Sequence, residues 1–205
     1  MIKDNLIFIG LFIGTIFLIL STFYYPGGSN EDLSSIGYDW MHNYISNLLR
    51  PEAVNGEANK ARPIALTGVL FLTASFGLFF VTFSQRIRIK SASRIIKYLG
   101  ILVTIFGFII VIPSLHDLMV TLSSILTLLI FFYITVMVIK SKLTMLKIFS
   151  VFFLGTFYLA AYMYFTRSYL EYMPIVQKII FLIKIFWVLS LEYFSSKEDF
   201  QFVTK

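Results

Sequence analysis

Residues 63–84 read PIALTGVLFLTASFGLFFVTFS, twenty-two positions without one charged side chain. At about 1.5 Å of rise per residue a helix of this length covers about 33 Å, and a bilayer's hydrocarbon core is about 30 Å thick. Lipid offers no partner to a free N–H or C=O, so a chain crossing it must satisfy its own backbone. A barrel strand would alternate apolar and polar positions; this run does not. The stretch predicts a transmembrane helix, and Arg62 and Arg86 stand just beyond its ends.

Five further runs qualify by the same test: residues 6–25, 95–115, 118–139, 148–166 and 175–194. Hydrophobic residues make up 58% of the 205 and charged ones only 14%, and the charges cluster between the runs. That distribution leaves room for one membrane domain over residues 1–205 and none for a second folded unit. The expected fold is an all-α integral membrane protein, a six-transmembrane-helix bundle. The long segment 26–62 lies between its first two spans. Cysteine is absent, which removes disulfides, thiolate nucleophiles and Cys-based metal sites. The abundance of Phe, Ile and Lys suggests an AT-rich bacterial genome.

The net charge of +6 does not point to nucleic acid, because the basic residues sit in short connections between spans. Residues 84–97, SQRIRIKSASRIIK, hold Arg86, Arg88, Lys90, Arg94 and Lys97 without an acid. The connection after the fourth span holds Lys140, Lys142 and Lys147, again without an acid. An excess of Lys and Arg marks the cytoplasmic side. Both connections, Lys3 and the two chain ends are therefore expected in the cytoplasm, with the protein in the plasma (inner) membrane. The first run lacks a small-residue cleavage site and reads as a retained anchor. Aromatic residues fit this sidedness: Phe23, Tyr24 and Tyr25 end the first span, and Tyr162, Tyr164, Tyr169 and Tyr172 gather near the outer end of the fifth. Gly10, Gly14, Gly68, Ser75, Gly77, Gly100 and Gly107 mark helix contacts, chiefly within the bundle.

Chemistry is expected on the outer side. In GYDWMHNYISNLLRP, residues 37–51, the polar positions Asp39, His42, Asn43, Ser46 and Asn47 recur at helical spacing. Trp40, Met41, Tyr44, Ile45, Leu48 and Leu49 fill the rest, which predicts an amphipathic outer-loop helix ended by Pro51. Its polar face is either solvated or turned over the mouth of the bundle. His116 and Asp117 open the fourth span on the same side, where Asp117 also suits a helix N-terminus. Arg167 and Glu171 are one turn apart and suit an ion pair. Lys184 lies deep in the sixth span, either snorkelling or paired inside with Asp117 or Glu171. The candidate ligand pocket comprises Asp39, His42, Asn43, Asn47, His116, Asp117, Arg167, Glu171 and Lys184. No spaced metal signature and no G-x-S-x-G elbow accompany them, so neither a metal nor a cofactor is called for.

At Ile45, Ser46, Asn47, Leu48 and His116 the chain resembles a bacterial six-helix membrane family of unknown function, similar to DRAM and Sfk-type proteins. That family places Asp where this chain has Asn47, and the resemblance implies no reaction. Ceramidase-like hydrolases need more zinc-binding histidines than the two present. The leading expectation is a non-enzymatic membrane protein that binds lipid, or a membrane-protein partner, through the outer pocket. An intramembrane enzyme acting on a lipid-linked substrate and a structural subunit of a larger complex are the alternatives.

Overall fold

The computed structural model describes residues 5–201, so Lys3 lies outside the described part. Six α-helices form: α1 (Leu6–Thr22), α2 (Arg62–Ser84), α3 (Lys90–Ile109), α4 (His116–Ile139), α5 (Thr144–Thr166) and α6 (Met173–Phe194). The described residues contain no strand, only the isolated bridges Gly27–Ile36 and Glu52–Ala58. The last five helical segments are long and apolar enough to cross a membrane, and α1 is a shorter apolar helix of 17 residues. The chain is a helical-bundle membrane protein.

The ends of the helices follow local chemistry. Pro63 and Pro174 sit in the first turns of α2 and α6, where a missing N–H costs nothing. The third span was expected to reach residue 115, but α3 stops at Ile109. Pro113 cannot continue a helix, and it opens a separate 3₁₀ turn, Pro113–Leu115, ahead of α4. Arg167 and Tyr169 both take the left-handed conformation (φ 58° and 56°), which ends α5 and swings the chain into α6.

Neighbours in the chain are neighbours in the bundle, and α6 closes back on α1 and α2. Glycine sets the closest approach. A Cβ on Gly14 would stand 2.6 Å from Leu72 Cγ and 2.8 Å from the Gly68 carbonyl, and one on Gly10 would fall on Ser75 Oγ. On the other flank of α2, Gly77 faces Thr104 and Gly100 faces Phe80. The small residues thus serve helix packing within the bundle.

The two halves of the bundle differ. Away from the long loop, Phe79, Phe131, Phe153 and Trp187 are fully buried and form one aromatic layer. Their ring centroids lie 4.6 Å (Phe153–Trp187), 4.8 Å (Phe131–Phe153), 5.2 Å (Phe131–Trp187) and 6.2 Å (Phe79–Trp187) apart. Trp187 Nε1–H donates to Ser150 Oγ at 2.9 Å, so the polar edge of the indole is satisfied. At this end Arg86 grips the terminus of α6. Its guanidinium donates to the carbonyls of Leu191, Glu192 and Ser195 and pairs with Glu192 Oε2 at 2.6 Å. Toward the long loop the packing loosens. Between Ile101 and Leu129 only Met119 is buried.

Replacing Gly68 with Val should destabilise the bundle by about 1–3 kcal/mol through overpacking. Gly155→Ala should be nearly neutral, since nothing lies within 4 Å of a Cβ there. Unfolding in mixed micelles measures both.

Candidate functional site

Short polar side chains compete with the helical backbone for hydrogen bonds, and in the long loop between α1 and α2 they win. Asp39 Oδ1 accepts from the backbone N–H of Met41 (2.9 Å) and His42 (3.2 Å). Asn43 Oδ1 accepts from Asp39 N–H at 2.8 Å, and Asn47 Oδ1 from Tyr44 N–H at 2.7 Å. Tyr44 is extended, at φ −72° and ψ 151°. The expected amphipathic helix is therefore reduced to a 3₁₀ turn, Ile45–Leu49, and its single polar face does not exist. Arg50 is extended ahead of Pro51, as a residue before proline prefers.

Asn43 and Asn47 are buried structural anchors. Asn43 Nδ2 donates to the Gly28 carbonyl at 2.8 Å. Asn59, also buried, donates from Nδ2 to the carbonyls of Asn47 (3.0 Å), Leu48 (3.3 Å) and Arg50 (2.9 Å). Two side chains of α6 bind the loop from below. Lys178 Nζ donates to the Asn43 carbonyl at 2.6 Å, and Gln177 Oε1 accepts from Ile45 N–H at 2.8 Å. The loop is thereby folded onto the bundle. Tyr25, expected in the aromatic belt, turns inward instead, and its hydroxyl accepts from Val54 N–H at 2.9 Å. Burial pushes the phenols of Tyr25, Tyr38 and Tyr44 up.

The expected pocket divides into separate places. Asp39 and His42 form one pair, with Oδ2 2.7 Å from Nδ1, on the more exposed side of the loop. Partial desolvation pushes the Asp39 carboxyl up, but the His42 hydrogen bond and two backbone donors outweigh it and hold it below the usual carboxylate range. His116 and Asp117 form a second pair, Nδ1 to Oδ1 at 2.9 Å. This pair lines an open cleft of about 620 Å³ between the long loop and the α3–α4 connection. Ser46, Arg50, Glu52, Ile110 and Val111 line it as well. Neither Asp39 nor His42 does.

Arg167 does not line this cleft. Its guanidinium lies 5.5 Å from the Tyr164 ring centroid, and its charge, like that of Arg50, acts on the Asp117 carboxylate. It also acts on the Tyr44 phenol. The expected Arg167–Glu171 ion pair is not formed. The left-handed residues 167 and 169 break the helical register such a pair requires, and Glu171 is exposed. Lys184 meets neither Asp117 nor Glu171. Its ammonium lies 4.0 Å from the centroid of Phe76 in α2. Among the described residues no group of three or more His, Asp or Glu side chains is placed to hold a metal.

Sequence reasoning missed Arg50, Lys178 and Gln177. Arg50 was hidden as the last residue before Pro51, and Lys178 as the edge of a span. Compared with protein-family models, curated proteins and solved structures, the chain matches none.

Asn43→Ala removes two side-chain hydrogen bonds from a buried position. A loss of about 1–3 kcal/mol per unsatisfied group implies roughly tenfold or faster amide exchange in residues 38–49. Acid should act through Asp39. A carboxyl depressed by folding stabilises the loop above its unfolded value near 3.8. That contribution is lost as pH falls through the lower folded value. Exchange protection of the loop, corrected for intrinsic rates, should therefore hold from neutral pH to about pH 5 and weaken below about pH 4.

Proposed function

We propose that the chain is a polytopic, non-enzymatic membrane protein that takes a phospholipid headgroup into its outer cleft. The observation that carries this reading is the cleft's charge arrangement. Arg50 lines it, the Arg167 charge reaches Asp117 in its wall, and Glu52 and Asp117 supply acids there. A phosphate suits the guanidinium groups, which form fork-shaped, charge-assisted hydrogen bonds. An ammonium headgroup suits the carboxylates. Ile110 and Val111 follow α3 at the point where it emerges, so a bound lipid's chains have an apolar exit. Ser46 and His116, which carry the resemblance to the six-helix bacterial family, both belong to this lining.

In this reading the basic connections around Arg86–Lys97 and Lys140–Lys147 face the cytoplasm of a plasma (inner) membrane, and the cleft faces out. The lipid itself is the partner; no nucleic acid is involved. One observation favours an intramembrane hydrolase as the second reading. In each His–Asp pair the carboxylate takes Nδ1 and leaves Nε2 available as a base. Turnover of a lipid ester by the purified protein, abolished in His116→Ala, would favour that reading over simple binding.

Native mass spectrometry tests the binding. Arg50→Ala combined with Arg167→Ala should lower phospholipid retention at least about tenfold, the equivalent of one charge-assisted hydrogen bond. Unchanged retention contradicts the proposal. The absence of native cysteine allows a clean test of sidedness. A membrane-impermeant maleimide should label Glu57→Cys in intact cells and spare Ser91→Cys; the reverse pattern would invert the orientation.

A further inference from the structure

The long loop turns two of its large apolar side chains outward, and it does so on a fixed frame. Residues 26–37 form a hairpin directly after α1. Gly28 N–H donates to the Ser35 carbonyl at 2.7 Å and Gly37 N–H to the Pro26 carbonyl at 3.1 Å, so Ile36 stands opposite Gly27. Glycine allows this approach. A Cβ on Gly27 would fall on the Ser35 carbonyl oxygen, and one on Gly28 on the Asn55 backbone nitrogen. The base of the hairpin is also held from behind. The Gly27 carbonyl accepts from Asn55 N–H at 3.2 Å, and the Gly28 carbonyl from Asn43 Nδ2 at 2.8 Å.

This frame inverts the usual order of a turn in water. Gly27, Gly28 and Ser29 are buried, whereas Leu33 is 69% exposed and Ile36 is 97% exposed. At that exposure Ile36 packs against nothing in this chain. Of the hairpin only Asn30 lines the cleft.

Depth gives this surface a partner. The apolar run begins just after Lys3 and Asp4. The 17 residues of α1 cover about 25 Å, and the tight turns that link Phe23 to Leu20, Tyr24 to Ser21 and Tyr25 to Thr22 carry the chain about 6 Å further. Together these match a hydrocarbon core of about 30 Å, so Pro26 stands at its edge. Ile36, whose neighbour Gly37 bonds back to Pro26, stands at the same level. Exposed Phe23 and Tyr24 continue the exposed stripe of Ile16, Ile19 and Leu20 to this level. Tyr25 packs on Tyr38 (ring centroids 5.7 Å apart) and Tyr38 on half-exposed Trp40 (5.3 Å). Trp and Tyr favour the headgroup region.

We propose that the hairpin is an interfacial anchor, with Leu33 and Ile36 seated in the lipid leaflet on the loop side of the membrane. The occupant is lipid because the surface stands where the lipid-facing stripe of α1 ends. Charge selects the kind of lipid. Glu31 and Asp32 precede Leu33 and are exposed, and no basic residue lies between 26 and 37. A zwitterionic leaflet offers ammonium groups to these acids, whereas an anionic leaflet repels them. This surface does not depend on headgroup binding in the cleft.

The test uses the full chain, which has no native cysteine, with single nitroxides at Leu33→Cys, Ile36→Cys or Glu57→Cys. In phosphatidylcholine liposomes, the ratio of oxygen to water-soluble nickel-chelate collisions should be severalfold higher at positions 33 and 36 than at 57, which is exposed on the same loop. Arg50→Ala should leave these ratios unchanged, which separates this surface from the cleft. Adding phosphatidylglycerol should lower the ratio at position 33, and Glu31→Gln should restore it. Equal ratios at 36 and 57 in liposomes would overturn the proposal. Protection from nickel in native membranes but not in liposomes would overturn it in favour of a protein partner. A ratio at 33 indifferent to phosphatidylglycerol would overturn the choice of a zwitterionic leaflet.

Discussion

Three buried asparagine amides, those of Asn43, Asn47 and Asn59, hold the loop side of this molecule in shape. A long connection over a membrane bundle has many backbone groups and few regular partners for them. Asn59 alone serves three carbonyls from Nδ2 while its Oδ1 accepts from Ala61 N–H at 3.1 Å. Asn43 joins the Gly28 segment of the loop to the turn that begins at Asp39. Each buried amide left unpaired would cost about 1–3 kcal/mol. In the folded loop all three are hydrogen-bonded.

That arrangement brings the loop to α6. Lys178 and Gln177 reach up from its first turns and bind main-chain atoms of residues 43 and 45. With the loop fixed there, the segment 46–54 stands opposite the α3–α4 connection, and the cleft is the space left between them. Its charges come from two chain segments that have no reason to meet otherwise. At the far end, Arg86 ties the end of α2 to the end of α6 and the aromatic layer closes the core. The bundle is thus anchored tightly at its basic end and loosely at the end that carries the cleft. Stability concentrated at one end leaves the other free to admit a ligand.

The helices were legible because hydrophobic length is a direct physical requirement of the bilayer. The uncharged run 63–84 became α2 almost to the residue. Pro113 and the left-handed Arg167 set boundaries that hydropathy alone places only approximately. The loop was not legible in the same way. The spacing of Asp39, Asn43 and Asn47 matches a helix, but the same side chains bind nearby N–H groups and cap a turn instead. Periodicity cannot separate those outcomes when the periodic residues are Asx. Of the residues that line the cleft, His116 and Asp117 were singled out from the sequence. Arg50 was not, since only the folded loop shows which residue beside Pro51 faces the cleft. Lys184 was recognised as deep, but its lack of an acid partner is a fact of packing.

The central claim is that the long loop between α1 and α2 is a fixed structure whose position creates the cleft. Spin labels at Glu57→Cys and Ser114→Cys, both exposed and neither part of the cleft lining, report it directly by pulsed electron–electron distance measurement. A single narrow distance distribution, unchanged by the choice of detergent or nanodisc, is the predicted result. A broad distribution would mean that the loop is not held over the α3–α4 connection, and the cleft would lose its basis.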